Sequence, residues 1–387
     1  MAPDRPSGQV VPFRPLVAVP IPHRSPQEKT MNNLHRRDVL RLGLLASASA
    51  ALASCGVPLT RVPERLNSLA VAAPGVSTCA AWLAQPATAP IVMLAARPTR
   101  ILVHHTASAN TTDLSQAQAF SLARTIQQSH FSRGWIDSGQ QFTISRGGYV
   151  LEGRHRSLEA AQGGAQHVQG AHCDGQNDVA VGIENEGTYM TVSPPGGQYS
   201  ALVGLCAWLC QQYGIPATEL YGHRDFNNTN CPGDVLYAKL PQLRADVAAR
   251  LGVQVRIWPT TKTGMTGERV RSAQRLLIAA GQTLTADGSY GSGTARAVSA
   301  FQAGVALTAD GLIGSATWER LIRTVRRGDS GPAVQAAQGQ LAARGYAVTV
   351  DGAFGPATET AVKSFQTSRG LSADGVVGPN TWLALES

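Results

Sequence analysis

Read for the spacing of apolar and polar positions, the chain changes character several times. Residues 1–30 are Pro-rich and follow no period, and are expected to be disordered. Leu42 to Ala53 is a short run of apolar and small residues. Residues 56–96, rich in Ala, Pro, Ser and Thr, read as a tether with one short helix near Cys79–Ala84. From Arg97 strand and helix patterns mix. Arg100 to Thr106 is an apolar run ending on two histidines and reads as a buried strand. Ser115 to His130 places Ala119, Leu122, Ala123 and Ile126 at helical spacing, with Asp113 or Ser115 able to cap it. Phe142–Ser145 and Tyr149–Glu152, joined by Arg146-Gly147-Gly148, read as a hairpin. Val179–Glu184 is a second buried strand, ending on a carboxylate. Ser200–Tyr213 is an apolar helix stopped by Gly214, and Val235–Leu251 is a further helix. The predicted class is α/β, a mixed central sheet flanked by helices over residues 97–252.

Beyond a linker at 253–265 the pattern repeats. Val270-Arg271-Ser272-Ala273-Gln274 returns as Val334-Gln335-Ala336-Ala337-Gln338, and Asp287-Gly288 as Asp351-Gly352. Phe301-Gln302 returns as Phe365-Gln366, Asp310-Gly311 as Asp374-Gly375, and Thr317-Trp318 as Thr381-Trp382. All these pairs are offset by 64 residues without a gap. Residues 266–325 and 326–387 are therefore expected to be two small three-helix domains. Units of this size bury little apolar area, so Phe301, Trp318, Phe365 and Trp382 are assigned to their cores.

Composition sharpens the picture at the N-terminus. The formal charge is +8, and residues 1–55 hold seven Lys/Arg against three Asp/Glu, so about half of the excess lies there. The mildly basic remainder suits an anionic polymer such as a bacterial wall. It contains no Lys/Arg run with interleaved aromatics, so nucleic acid is not an expected partner. Met31 is read as the true start, with 1–30 an upstream extension. Arg36-Arg37 before Val39-Leu40 resembles a twin-arginine export signal, and Leu52-Ala53-Ser54-Cys55 a lipobox. On that reading residues 31–55 are a lipoprotein-type signal. The mature protein would begin at a lipidated Cys55 and would be exported, membrane-anchored and monomeric.

Candidate chemistry gathers in Gly222-His223-Arg224-Asp225-Phe226-Asn227-Asn228-Thr229-Asn230-Cys231-Pro232-Gly233. Imidazole and thiolate are ligands zinc prefers, and a loop lets His223 and Cys231 converge. One of His104 and His105 adds a third ligand, since adjacent strand residues point to opposite faces. Three protein ligands leave one tetrahedral position open, as catalytic zinc requires. Glu184, with Glu186 as rival, is the candidate base, and Thr229 a candidate hydrogen-bond donor to an oxyanion. With Cys55 and Cys231 assigned, Cys79, Cys173, Cys206 and Cys210 remain for disulfides in an exported protein. Cys206 and Cys210, one helical turn apart, are expected to reach two different partners, Cys79 and Cys173.

Five motifs in order carry a resemblance. They are Val103-His104-His105-Thr106, Gly134-Trp135-Ile136-Asp137, Gly170-Ala171-His172, Val181-Gly182-Ile183-Glu184 and Gly222-His223-Arg224-Asp225 with Cys231-Pro232-Gly233. Together they resemble zinc N-acetylmuramoyl-L-alanine amidases related to phage lysozyme-type amidases and peptidoglycan recognition proteins. The two repeats resemble peptidoglycan-binding domains. The resemblance implies hydrolysis of the amide between N-acetylmuramic acid and L-alanine, with Zn2+ on His104, His223 and Cys231. It implies Glu184 as base, and His105, Gln140 and His172 around the substrate. Gln140 stands where many relatives carry a catalytic tyrosine, and glutamine is neither acid nor base. A wall-binding protein without catalysis, or a zinc peptidase acting within the stem peptide, are the competing readings.

Overall fold

In the computed structural model, which describes residues 70–387, the expected strands appear where alternation and apolar runs place them. The chain-order elements are β1 (Val76–Ser77), β2 (Met93–Leu94), β3 (Arg100–His105), α1 (Gln116–Ser132), β4 (Phe142–Ile144) and β5 (Val150–Glu152). There follow α2 (Ser157–Gly163), β6 (His167–Val168), β7 (Ala180–Asn185), α3 (Gly196–Tyr213), β8 (Leu220–Gly222), α4 (Asp234–Ala238) and α5 (Leu240–Arg250). The extension, the export signal and Cys55 lie outside the described residues.

The main sheet runs β1-β5-β4-β7-β3-β8. The β4–β5 hairpin is antiparallel and the other pairings are parallel, which makes the sheet mixed as expected. Strand alternation divides its residues between two faces. Ile101, Val103, Val181 and Ile183 join Leu205 and Leu209 of α3 and Leu243 and Val247 of α5 in the largest core. Leu102 and His104 therefore point to the opposite face, where the chemistry lies. Ser115 caps α1 by accepting from the Gln118 amide at 3.2 Å. The predicted single helix over 235–251 is two, α4 and α5, meeting at Lys239.

Three expectations need correction. The tether assigned to 56–96 is, within its described part, built into the domain. Val76–Ser77 pairs with β5. Trp82 is wholly buried and donates its indole N–H to the Glu152 carbonyl at 2.8 Å. A single tryptophan among Ala, Pro and Thr supplies enough apolar area to fasten a stretch that has no period.

The disulfides are also absent: Cys79, Cys173, Cys206 and Cys210 are free thiols. Cys206 and Cys210 lie in the core beneath α3, whereas Cys79 packs with Leu151 and Cys173 with Leu102 and Tyr221. The sheet stands between the expected partners.

The linker assigned to 253–265 belongs to the repeat that follows. Trp258 is buried and stacked on Trp318, and Thr261 bridges to Ile313 as Val325 does to Val377. Trp318 donates to the Pro259 carbonyl and Trp382 to that of Arg323, positions again 64 apart. The repeats contribute α6 (Glu268–Ala279), α7 (Ser292–Gly304) and α8 (Ser315–Leu321), then α9 (Pro332–Ala343), α10 (Pro356–Ser368) and α11 (Pro379–Glu386). Each has its three helices, with Phe301, Trp318, Phe365 and Trp382 buried. The units are not separate beads, however: α6 packs on α9 and both share one core. In each Asp-Gly turn a glutamine ties the turn to a helix. Gln302 Nε2 bonds Asp310 Oδ1 at 2.8 Å and Gln366 Nε2 bonds Asp374 Oδ1 at 2.7 Å.

Candidate metal centre

Register assembles the first half of the site. His104 pairs with Glu184 across β3–β7, and Glu184 with Thr143 across β7–β4. These three side chains thus share one row on the sheet face away from α3. The second half comes from the loop after β8. There a 3-10 turn, His223–Asp225, begins a reversal that returns Cys231 to the same place. Arg224 closes the reversal, its backbone N–H donating to the Cys231 carbonyl at 3.0 Å. Its guanidinium reaches the Asn230 carbonyl and Asp234.

The ligand atoms of His104, His223 and Cys231 lie within 4.8 Å of one another. Zinc–nitrogen and zinc–sulfur bonds of ~2.05 and ~2.3 Å at a tetrahedral angle separate the two donors by about 3.6 Å. Cys231 Sγ and His104 Nδ1 are 3.6 Å apart. Donor types and spacing both fit zinc.

The remaining ring nitrogens are occupied in a way that orients the donors. His104 Nε2 is 3.0 Å from His172 Nδ1, and His223 Nε2 is 3.0 Å from Asn227 Oδ1. With Nε2–H of each ring donated outward, Nδ1 is left as the lone-pair donor. The His105 backbone N–H donates to Cys231 Sγ at 3.4 Å. Gly182 makes room for this arrangement, because a Cβ there would meet the His172 ring at 2.5 Å.

Electrostatics favours the ligating forms of the rings. Burial and the neighbouring imidazoles hold His104 well below the usual histidine range, and burial lowers His223. His172 is brought down to about 3, chiefly by burial. Burial and then the Glu184 charge push the Cys231 thiol up, a cost that a bound cation would offset. Burial raises the Glu184 carboxyl to about 8, and its Oε2 has no hydrogen-bond partner.

A cavity of about 450 Å3 opens over these groups, walled by Trp135, Arg133 and His130. His104, His105, Gln140, His172, Glu184, His223, Thr229 and Cys231 all line it. The structure thus brings together every residue named from sequence for metal, base or substrate except the rival base Glu186. Some serve differently. His172 bonds to His104 as well as lining the wall. His105 turns aside, its Nδ1 accepting from the Tyr189 N–H at 3.3 Å. Thr229 Oγ1 accepts from the Cys231 N–H at 3.2 Å, which leaves its hydroxyl proton to donate. Gln140 donates to Thr143 Oγ1 at 2.8 Å, and its buried Oε1 has no partner. Glu186, the rival base, is engaged by Gln118 and by the Arg146 amide away from the cavity. Asn227 and the stacked His130–Trp135 pair were missed. An Asn-rich loop around a suspected ligand was the available signal for Asn227.

Residues 94–234 match the family model described as N-acetylmuramoyl-L-alanine amidase, and 266–321 and 330–385 match that of a putative peptidoglycan binding domain. Peptidoglycan recognition protein 1 of Bos indicus is 35% identical over 146 residues, 37% of this chain and 70% of that protein. A probable N-acetylmuramoyl-L-alanine amidase of Bacillus licheniformis is 32% identical over 254 residues, 53% of this chain and 70% of that protein. The amidase CwlL of the same organism is 30% identical over 233 residues, 47% of this chain and 65% of that protein. With the motifs, the sheet and the repeats in agreement, the chain belongs to the N-acetylmuramoyl-L-alanine amidase and peptidoglycan recognition family and carries two peptidoglycan-binding repeats.

Proposed function

We propose that the protein is a zinc-dependent amidase that cleaves the bond between the lactyl carbonyl of N-acetylmuramic acid and the α-amine of L-alanine. The observation that carries this reading is the placement of an unpartnered, buried Glu184 carboxylate beside His104 in the sheet, facing the cavity that His223 and Cys231 close. Zinc held by His104, His223 and Cys231 would supply Lewis acidity at the carbonyl and ease ionisation of a neighbouring water.

The chain's own residues do the rest. Burial alone raises the Glu184 carboxyl to about 8, and the charge of a bound zinc ion would favour its ionised form, which takes a proton from the attacking water on Oε2 and returns it to the departing alanine nitrogen. The water's oxygen ends on the lactyl carboxylate as the C–N bond breaks, so no other reactant is required. Thr229 can donate its hydroxyl proton to the developing oxyanion. Gln140 offers the substrate a hydrogen-bond acceptor and has no acid–base part.

The two repeats bring the enzyme to the wall, and the chain acts as a monomer. Export follows Arg36-Arg37. Lipid on Cys55, in Leu52-Ala53-Ser54-Cys55, attaches the chain to the membrane.

Mass spectrometry of peptidoglycan digested by the purified protein tests this. Free stem peptides beginning at L-alanine, with their matching lactyl carboxylates, are expected, and a chelator should stop their release. A second reading, recognition without hydrolysis, is favoured by the likeness to peptidoglycan recognition protein 1 and by Gln140. Binding to wall with no released stem peptide, with or without added zinc, would establish it.

A further inference from the structure

The repeats are expected to be a wall-binding appendage, yet the first of them is docked against the elements that carry the metal ligands. Arg100 opens β3, the strand of His104. Its guanidinium meets Asp310 of the first repeat at 2.6 Å, with the two side chains 2% and 8% exposed. Lys262 reaches the loop of His223 and Cys231. It pairs with Asp225 at 3.2 Å and donates to the Arg224 carbonyl. The Asp225 side chain is wholly buried and ties the loop's start together, accepting from the Gly222 N–H at 2.9 Å and from the Tyr237 hydroxyl. Between the two ion pairs, Leu312 packs on Leu102, Tyr221, Cys173 and Ala180. Gly314 lies so close to the Tyr221 hydroxyl that a Cβ would collide with it.

The second repeat is a control built into the same chain. Adding 64 to each docking residue gives Arg326, Asp374, Val376 and Gly378. Arg326 and Asp374 are exposed, and a Cβ on Gly378 would meet nothing. Asp374 still bonds its own Gln366, just as Asp310 bonds Gln302, so the turn needs the carboxylate in both repeats. Only in the first does the other oxygen leave the repeat to neutralise an arginine of the amidase sheet. Burying both charges of such a pair is costly unless its geometry is held. The docked position is therefore a specific arrangement that a flexible tether would not need.

We infer that the first repeat is part of the metal centre. Lys262 and Asp310 are positioning residues that clamp β3 and the 223–231 loop so that their donors stay in register. The inference rests on the zinc reading of His104, His223 and Cys231. Contacts one shell out from metal ligands commonly change affinity by ~10–100-fold. Lys262 and Asp310 lie further out, so effects at the lower end are expected.

The test uses the full chain, stripped of metal and titrated with zinc against a chromophoric chelator. Lys262→Met should weaken zinc binding about tenfold and Asp310→Asn several-fold. Lys262→Arg, which keeps the charge, should recover most of the loss, and Arg326→Met in the second repeat should match the wild type. All four variants should still pellet with insoluble peptidoglycan, which separates the clamp from the binding function. Should Lys262→Met fail to fold, the milder Asp310→Asn decides. Zinc affinities within twofold of wild type for Asp310→Asn and any folded Lys262→Met would overturn the clamp and leave the amidase reading intact. A wild-type chain that takes up no zinc would instead overturn the zinc reading, and the clamp with it.

Discussion

Replacing Cys231 with alanine removes the thiolate from the three-donor set, and zinc content and activity should be lost together. Glu184→Gln keeps shape and burial but cannot accept a proton. Zinc stoichiometry should stay at the wild-type level while kcat falls by ~10²–10⁴, the usual worth of a positioned acid–base group. Measuring both quantities on both variants separates ligand from base, and a Glu184→Gln enzyme of full rate would remove Glu184 from its role. At this scale the three candidate donors that the structure brings together were readable because each sits in a short motif, and strand alternation admits one histidine of the pair 104 and 105. What orients them was not readable. His172 reaches His104 only because Gly170 and Gly182 leave space for its ring, and that closeness exists only once the sheet has formed. Asn227 likewise acts through the turn that brings it back on His223.

Among the elements, the segment before β3 is the one most misjudged by composition. Trp82 fills a pocket between α1 and β5 with Ala119, Ala123 and Leu151. Trp82→Ala should cost ~3–5 kcal/mol of stability, the range for emptying a buried aromatic site. Denaturant unfolding of the full chain measures it. A loss below 1 kcal/mol, by the same scale, would return this stretch to a tether. The longer strands and helices were legible from their apolar runs and helical spacing, and the short β4 and β5 from the turn that joins them, whereas the seven-residue α2 was not read. β1, β2 and β6 have two residues each and therefore no pattern to read. The 253–265 stretch failed for another reason. Its counterparts were in view 64 residues on, but only Trp258 is bulky enough to mark a core, and its counterpart is Ile322.

Across the whole molecule, Glu386 is a buried titratable joint between the repeats. It projects from α11 to Ser272 of α6 at 2.6 Å and Gln340 of α9 at 2.8 Å, fully buried. Burial raises its carboxyl from 4.5 to about 8. Between those values the folded chain keeps a proton that the unfolded chain has released, so folding binds the proton. That stabilisation is complete below 4.5 and is lost as pH rises through about 8. Urea midpoints should therefore fall between mildly acid and mildly alkaline buffer, and Glu386→Gln should flatten the difference. An unchanged slope in that variant would assign the pH dependence to other groups.

The shared core of α6 and α9 also bears on how a polymer is gripped. Two modules on a flexible string sample many separations, and the second finds its ligand by search. Two modules welded through one core hold the surfaces they leave exposed at one separation and one mutual angle. Where the polymer repeats at that separation, the second contact costs little further ordering and avidity is high. Where it does not, the second surface stays idle. Welding thus turns a duplicated module into a caliper, whose grip depends on the spacing of its ligand as much as on its chemistry.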